Sequence, residues 1–267
     1  MTGRILSGYK HVKRNNKMKS EKVEFKSALG EKLSGRVDMP EGDVISCALF
    51  AHCFTCSKNL RAVGNITKAL ASKGIETLRF DFTGLGESEG DFANTNFSSN
   101  IDDLIAAADF MKSRTGGPVI LIGHSLGGAA VLQAAGKIDS VKAVVTIGAP
   151  SEPRHVEKHF ESKKEEIERD GEAVVKLAGR PFKVKKQFLD DLEKTKMDDF
   201  ITNLNKALLV MHAPLDETVG IDNAADIYKN AKHPKSFVSL HKADHLLSDE
   251  TYSLYAGSLI AEWFSVY

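Results

Sequence analysis

The sequence contains no long apolar run and no surplus of charge of either sign. None of its apolar runs approaches the roughly 18 residues that a membrane-spanning helix requires, so we expect no membrane partner. No apolar stretch lies near the start, which argues against a signal peptide. The 36 acidic residues balance the 36 basic residues. This balance favours neither a nucleic-acid partner nor a charged membrane surface.

Cysteine is scarce, and the three cysteines, Cys47, Cys53 and Cys56, lie within ten residues of each other. An odd number in one short cluster is not the pattern of a disulfide framework, so we expect a reducing, cytoplasmic setting. His52 precedes Cys53-x-x-Cys56, and this pattern leaves open a thiol redox or metal-binding module. A structural zinc site usually has four ligands, however, and the sequence has no second cysteine pair.

Acidic residues are missing from residues 1–19, which carry six lysines and arginines. We interpret residues 1–20 as a basic, disordered extension, or as residues that precede a true start at Met18. Contact between this extension and an anionic partner is the alternative. Residues 21–267 then form the folded domain.

The 267 residues, 42% of them hydrophobic, are enough for one large α/β domain. Residues 21–39 have the pattern of two strands joined by a turn that contains glycine. Unbroken apolar runs, typical of strands covered on both faces, follow at 44–53, 76–82, 118–125, 141–150, 207–214 and 236–243. Helical patterns lie between these runs, at 58–73, 98–114 (after a serine N-cap), 126–137, 220–232 and 250–264. The alternation predicts a mostly parallel central sheet with helices on both faces.

Residues 151–206 interrupt this alternation, because they are far longer than an ordinary connection between strands. Their patterns indicate, in order, a charged helix at 152–169, a hairpin around Gly179 over 175–184, and two short helices near 185–195 and 198–204. We interpret the insertion as a small cap above the sheet, with Phe182 of the hairpin as a candidate for substrate contact. A surface decoration far from any site is the alternative.

The segment Gly123-His124-Ser125-Leu126-Gly127 lies between a predicted strand and a predicted helix. A G-x-S-x-G pattern alone is weak evidence, but in this position it predicts a nucleophile elbow. In such an elbow the serine takes an unfavourable backbone conformation, and the glycines remove side chains that would collide with the strand or the helix. The turn would hold the Ser125 hydroxyl at a helix N-terminus, where a developing negative charge is stabilised.

A serine hydroxyl becomes a good nucleophile only when a base removes its proton. Of the nine histidines, His245 is the best candidate, because it follows the last predicted strand in a loop that can reach back over the sheet. His241, at the end of that strand, is the second choice. Asp216 follows another buried strand and would orient the imidazole, with Glu217 as its nearest rival.

Acyl transfer also needs hydrogen-bond donors for the oxyanion. We assign one donor to the backbone N–H of Leu126, the residue after the nucleophile. The other is expected in the loop after the first long parallel strand, and we assign it to the N–H of Phe54. The ring of Phe54 would also help to line the acyl pocket. This mechanism requires no metal and no organic cofactor.

Several motifs together resemble those of the α/β-hydrolase superfamily, over nearly all of residues 21–267. GHSLGG resembles the nucleophile elbow, PLDETV the acid turn and ADHLL the histidine loop. RFDFTGLGESEG resembles the segment that braces the loop after the neighbouring strand. The chain order Ser125, Asp216, His245 is also the order of this superfamily. Many members have His-Gly where this chain has His52-Cys53, and a Cβ at Cys53 restricts the loop that contains Phe54.

Two segments narrow the resemblance. HCFTCSKN and DFTGLGESEGDFANTNFSSN resemble the hydrolase part of bacterial proteins in which this domain is fused to an OsmC-type peroxide reductase. No second domain follows Tyr267 in this sequence, so we do not expect the redox role of such fusions here.

These observations predict a serine esterase that cleaves carboxylic esters with short acyl chains through an acyl-enzyme intermediate. A modest cap without an extended apolar lid argues against long-chain lipids as substrates. The expected partner is a small-molecule ester, and the expected state is a monomer or a small homo-oligomer. Thioesterase activity, peptidase or amidase activity, and a non-catalytic binding role on the same scaffold remain as alternatives.

Overall fold

The computed structural model describes residues 18–177 and 179–267. The extension predicted over residues 1–20 therefore lies mostly outside the described residues. Its last two residues belong to the first strand, which begins at Lys19, two residues before the predicted start of the domain.

An eight-stranded sheet forms the centre of the molecule. Its strands are β1 (Lys19–Lys26), β2 (Lys32–Met39), β3 (Ser46–Ala51), β4 (Ile75–Phe80), β5 (Ile120–His124), β6 (Ala143–Ile147), β9 (Ala207–His212) and β10 (Lys235–Ser239). Their order across the sheet is β1-β2-β4-β3-β5-β6-β9-β10. β2 pairs antiparallel with both β1 and β4, and the pairs from β4 to β10 are parallel. The carboxyl ends of the parallel strands therefore meet at one edge of the sheet.

Helices cover both faces of the sheet because its central strands are apolar on both sides. Every residue of β4, β5, β6 and β9 is buried. The helices are α1 (Arg61–Ala71) and α8 (Glu250–Phe264) on one face, and α2 (Phe97–Thr115), α3 (Leu126–Ala134) and α7 (Asp222–Asn230) on the other. α2 begins with a capping box at Asn96, whose side chain accepts the Ser99 N–H. The predicted serine N-cap was therefore wrong, because asparagine two residues earlier satisfies the first free N–H groups.

Residues 151–206, which we call the inserted segment, lie between β6 and β9. They form a 3-10 helix (Pro153–His159), α4 (Lys164–Asp170), β7 (Glu172–Leu177), β8 (Arg180–Lys185), α5 (Lys186–Lys194) and α6 (Met197–Thr202). β7 and β8 make a separate antiparallel hairpin. The continuous helix predicted over 152–169 was wrong, since 3-10 turns fill most of that range and only six of its residues, 164–169, are α-helical.

Aromatic rings join the inserted segment to the rest of the domain. Phe160 and Phe188 of the segment pack with Phe54 and Phe92, with ring centroids 5.6–6.1 Å apart. The carboxylate of Asp191 on α5 accepts the Ser98 N–H and hydroxyl of α2 at 2.7 Å. The segment is thereby held beside the carboxyl ends of the parallel strands. None of the helices in the described part of the chain is long and apolar enough to cross a membrane.

Candidate active site

Ser125 occupies the tight turn between β5 and α3. Its backbone has φ 55° and ψ −127°, a region that residues with a side chain seldom adopt. Its N–H donates to the Ile147 carbonyl of the neighbouring strand at 2.9 Å. This bond and the start of α3 hold the strained conformation in place.

Three glycines leave room for this turn. A Cβ on Gly123 would collide with the backbone of Gly127, and a Cβ on Gly127 would lie 2.5 Å from the carbonyl oxygens of Ala51 and His52. A Cβ on Gly128 would overlap the side chain of Ala149. The strand, the helix and the neighbouring strands can approach this closely only because no side chain stands between them.

The fold brings Ser125, His245 and Asp216 into one chain of hydrogen-bonding contacts. His245 Nε2 lies 3.0 Å from Ser125 Oγ, and His245 Nδ1 lies 2.7 Å from Asp216 Oδ2. Because a carboxylate can only accept, Nδ1 carries the proton in the neutral ring. Nε2 is then free to accept the proton of the serine hydroxyl. In an α/β-hydrolase this is the arrangement of a base and its nucleophile.

Asp216 is held in its charged form by its neighbours. Burial alone raises the pKa of this carboxyl, but the hydrogen bond to His245 and the N–H groups of Val219 and Thr218 outweigh it, so the pKa lies below its usual value. Both N–H groups donate to Oδ1 at 2.9 Å, which leaves Oδ2 for His245.

The alternative candidates lie elsewhere. His241 and Glu217 are exposed to solvent. Asp244, next to His245 in the sequence, accepts the Ser248 N–H at 2.7 Å and so turns away from the imidazole. Of the candidate bases and acids, the fold therefore brings His245 and Asp216 to Ser125.

Three buried histidines tie down the loops that carry these groups. His124, at the end of β5, contacts the carbonyl oxygen of His245 through Nε2 at 2.7 Å. His212, at the end of β9, contacts the Val219 carbonyl oxygen through Nε2 at 2.8 Å, and His52 after β3 contacts the Cys53 carbonyl oxygen through Nδ1 at 2.8 Å. Since a carbonyl accepts, each ring nitrogen must be the protonated one. The sequence pattern alone did not indicate this positioning role.

His124 stays uncharged at neutral pH. Burial, together with the nearby His245, lowers its pKa to about 4. A neutral His124 adds no competing positive charge beside the candidate base.

The loop of residues 52–58, which we call the 52–58 loop, follows β3. A disulfide joins Cys53 and Cys56 across Phe54 and Thr55. This bond corrects the expectation that the clustered cysteines would stay reduced: Cys53 and Cys56 lie on either side of a turn closed by the Cys56 N–H and the Cys53 carbonyl. Cys47 is a free, buried thiol.

Leu126 and Phe54, the residues predicted to supply the oxyanion donors, lie next to Ser125 in the sequence and in the same cleft, respectively. Leu126 is the first residue of α3, and the first N–H groups of a helix have no acceptor within the helix. Phe54 lines the cleft above Ser125, and its ring packs with Phe92, Phe160 and Phe188. The hydrogen bonds found for the described residues include none from the Phe54 N–H.

A buried ion pair supports the 52–58 loop from behind. The Lys58 side chain is completely buried, and Asp81 accepts both its backbone N–H, at 2.6 Å, and its Nζ, at 2.5 Å. The Glu87 carboxylate, 2.9 Å away, is the second partner of Nζ. A Cβ on Gly86 would overlap the Asp81 carboxylate, so a glycine is needed there. The RFDFTGLGESEG segment thus carries the acid that anchors the end of the loop.

A cleft of about 300 Å³ opens above Ser125 and His245. Its walls come from the 52–58 loop, from the acid turn at Thr218 and Val219, and from the inserted segment. Phe182 is not among the lining residues: it packs against Phe92, with the Arg180 guanidinium 5.3 Å from its ring centre. Lys176 and Leu177 of the facing strand lie in the wall instead. A larger cavity, of about 430 Å³ between β1 and α2, contains none of these groups.

Known proteins share this architecture. Residues 56–169, a range that includes Ser125, match a family model described as serine aminopeptidase, S33. The crystal structure of the esterase domain from a Rhodothermus marinus protein is 46% identical in sequence. The match covers 92% of this chain and 98% of that chain, with a TM-score of 0.75. A search of curated proteins finds no match.

Two more distant structures share the fold. Est1E from Butyrivibrio proteoclasticus, solved with ferulic acid bound, is 22% identical; the match covers 91% of this chain and 99% of that chain, with a TM-score of 0.76. Mouse alpha/beta hydrolase domain-containing protein 10 is 18% identical, with coverage of 92% and 99% and a TM-score of 0.75. At these identities the likeness shows the fold alone.

A mostly parallel sheet with a serine elbow after β5 defines the class of α/β-hydrolases. The chain belongs to this family, and the predicted fold class is confirmed. The narrower resemblance to hydrolase domains fused to OsmC-type proteins stays a prediction.

Proposed function

We propose that this protein is a serine esterase that cleaves carboxylic esters through an acyl-enzyme intermediate, with Ser125, His245 and Asp216 as its catalytic residues. The observation that carries the proposal is the continuous contact from Asp216 through His245 to Ser125. The esterase domain from Rhodothermus marinus, at 46% identity, supports the same activity.

The first half of the reaction forms the acyl-enzyme. His245 Nε2 takes the proton of Ser125 Oγ as the oxygen attacks the ester carbonyl carbon. The carbonyl oxygen becomes an oxyanion, which the N–H groups of Leu126 and Phe54 stabilise. The carbon–oxygen bond to the alcohol then breaks, and His245 donates its proton to the leaving alkoxide. Asp216 stabilises the imidazolium that exists between these two proton transfers.

The second half repeats these steps with water. His245 removes a proton from water as its oxygen attacks the acyl carbon, and the resulting oxyanion occupies the same donors. The bond to Ser125 Oγ breaks, His245 returns the proton to Ser125, and the carboxylic acid leaves. Each oxyanion donor of this kind contributes on the order of 3 kcal/mol to the transition state.

The size and closure of the cleft support short acyl chains. A volume of about 300 Å³ lies at the lower end for a small-molecule pocket. The inserted segment, which we propose acts as the cap, closes one side with Val156 and Leu177. We further propose a monomer or small homo-oligomer, as the sequence predicts. The Cys53–Cys56 disulfide removes the cysteine argument for a cytoplasmic location.

Peptidase activity is the second candidate, because the matching family model describes serine aminopeptidases. An aminopeptidase binds the free ammonium of its substrate, which a carboxylate in the pocket would neutralise. Among the described residues that line the cleft there is no aspartate or glutamate. This observation favours an ester over a peptide with a free amino terminus.

Ser125→Ala tests the proposal. The variant should lose hydrolysis of 4-nitrophenyl acetate by at least about 10⁴-fold in kcat, since the nucleophile is gone. Ser113→Ala, on the exposed side of α2, is the matched control and should retain full activity. The circular dichroism spectrum and melting temperature of both variants should match those of the parent. Turnover that survives in folded Ser125→Ala would remove the serine from the mechanism.

A further inference from the structure

Basic side chains surround the cleft on the side of the inserted segment. His155 and His159, from the 3-10 helix, and Lys176, from β7, line the cleft together with His245. No carboxylate among the described lining residues opposes them. This wall of the cleft therefore consists largely of basic side chains, although the whole chain has no net charge.

Lys158 adds a further positive charge directly behind this wall. Its Nζ lies 2.7 Å from His155 Nε2 and donates to the carbonyl oxygen of Thr218, which His155 also contacts. Burial is the main cause that lowers the pKa of His155, and the charge of Lys158 lowers it further. Burial and then Lys158 lower the pKa of His159 in the same way. Lys158, His155 and His159 are thus close enough to repel one another when charged.

Lys158 and Lys176 of the inserted segment have no ion pair with any described residue. In the described part of the chain neither has a carboxylate within salt-bridge distance. Six other basic residues of the segment do have one: Arg154, Lys163, Lys164, Arg169, Lys183 and Lys186. Other basic residues of the segment also have no carboxylate within this distance among the described residues: Arg180, Lys185, Lys194, Lys196 and Lys206. Among the segment's described lysines and arginines, however, Lys176 is the one that lines the cleft, and Lys158 contacts His155 in its wall.

We propose that the substrate is an ester that also carries a carboxylate, which lies against Lys176 and the Lys158–His155–His159 group while the ester carbonyl lies at Ser125. This inference rests on the proposed esterase function. A carboxylate there would neutralise the charges of Lys158 and Lys176, which have no carboxylate partner among the described residues, and the partly closed cleft would weaken screening by salt. A neutral ester of equal size would leave those charges unpaired.

The test compares charged esters with neutral counterparts of nearly the same size. One pair carries the charge on the acyl side: 4-nitrophenyl hydrogen glutarate and its methyl ester. The other carries it on the alcohol side: 4-acetoxybenzoate and its methyl ester. The measured quantity is the ratio of kcat/KM for the charged ester to that for the neutral ester, from release of the phenol. Because each variant provides its own ratio, partial loss of folded enzyme cancels.

In the parent enzyme we expect a ratio above 1 for one of the two pairs. A single charge at about 8 Å in a partly screened site corresponds to about a fivefold effect, so Lys176→Met and Lys158→Met should each lower that ratio about fivefold. Added salt should lower the ratio in the parent more than in the Lys158→Met/Lys176→Met double variant. Lys68→Met, on the outer face of α1, is the control and should keep the parent ratio.

The outcomes separate this inference from the proposed function. If neither pair gives a ratio above 1, or if the double variant keeps the parent ratio, the carboxylate preference is wrong while the esterase proposal stands. If the parent cleaves none of the four esters, the esterase proposal itself fails. Ser125→Ala should abolish turnover of the charged and neutral esters alike, which assigns both reactions to one site.

Discussion

A lysine with a completely buried side chain, such as Lys58, needs full compensation of its charge. Asp81 supplies this compensation and also binds the Lys58 backbone N–H. One side chain therefore both neutralises the lysine and anchors the last residue of the 52–58 loop. Arg79, paired with Asp38 at 2.7 Å, donates to the Lys58 carbonyl and holds the same residue from the other side.

Lys58→Met should destabilise the protein by about 3–5 kcal/mol, because removal of one partner leaves the Asp81 carboxylate buried without its cation. Urea unfolding followed by tryptophan fluorescence or circular dichroism measures this change. Where the variant is still folded, kcat for 4-nitrophenyl acetate should fall more than KM changes, because the loop that carries Phe54 loses its anchor.

Lys22→Met provides the comparison for this effect. Lys22 lies 3.9 Å from the same Glu87 that Lys58 contacts, but both members of that pair are exposed. The variant should change the free energy of unfolding by less than about 1 kcal/mol. Equal destabilisation by the two variants would contradict a special role for the buried pair.

At the scale of elements, the 52–58 loop is a short connection with several restraints. The disulfide between Cys53 and Cys56 encloses Phe54 and Thr55. Arg180 of the hairpin donates to the Thr55 carbonyl, and Thr55 itself has a positive φ of 59°. The position of the Phe54 N–H thus depends on the core, on the hairpin and on one covalent bond.

Reduction of this disulfide by a dithiol should lower kcat by about tenfold and leave the fold intact. Two electrons and two protons from the reductant convert the bond to two thiols, and the loop then gains freedom at the donor position. The measurement is kcat for 4-nitrophenyl acetate before and after treatment, with thiol titration to count the released groups.

Two variants assign the response to these sulfurs. Cys53→Ser/Cys56→Ser should have the lower kcat from the start and should not respond to the reductant. Cys47→Ala removes the free buried thiol and should respond as the parent does. If the parent keeps its full kcat after both thiols are titrated, the bond has no influence on the donor.

At the scale of the whole molecule, the two faces of the sheet are buried by different layers. α1 and α8 cover one face, whereas α2, α3 and α7, continued by the inserted segment, cover the other. Asp103 lies on α2, in the layer that also contains α3 and α7. Its carboxylate accepts the Thr83 N–H at 2.8 Å and the Thr83 hydroxyl at 3.0 Å. Burial raises its pKa from 3.8 to about 6.

This raised pKa predicts a pH dependence of stability. The folded protein binds a proton at Asp103 more tightly than the unfolded chain does, so the stabilisation is present below pH 4 and is lost as the pH rises through about 6. The contribution of this group to the free energy of unfolding should decrease by about 3 kcal/mol across that range.

Asp103→Asn should remove this contribution to the pH dependence, because the amide does not titrate. Urea unfolding at pH 4, 5, 6 and 7 gives the difference between parent and variant at each pH. Asp102→Asn, at the exposed neighbouring position, should keep the parent pH dependence. A constant difference between the parent and Asp103→Asn over this range would refute the assignment.

Local patterns predicted the strands and helices well where one face or both faces of an element are buried. Neighbouring residues alone were enough to predict the buried apolar strands β5 and β9 and the helix α2, which has apolar residues along one side. The inserted segment was harder, because its short 3-10 turns have no period long enough to recognise. Phe182 was chosen from its alternation in the hairpin, but alternation does not say which face of a hairpin meets a cleft.

The sequence alone determined the class of fold and the three residues that meet at the candidate site. The glycines identify the elbow, and Asp216 and His245 each follow a buried strand. Because parallel strands end at one sheet edge, these residues can be expected to meet there. Only the tertiary structure decided the Cys53–Cys56 bond, the loop contacts of His52, His124 and His212, and the unpaired cations at the cleft. These features depend on side-chain directions and on contacts between distant segments. A pattern of neighbouring residues does not encode them, because they form only when distant segments pack together around the sheet.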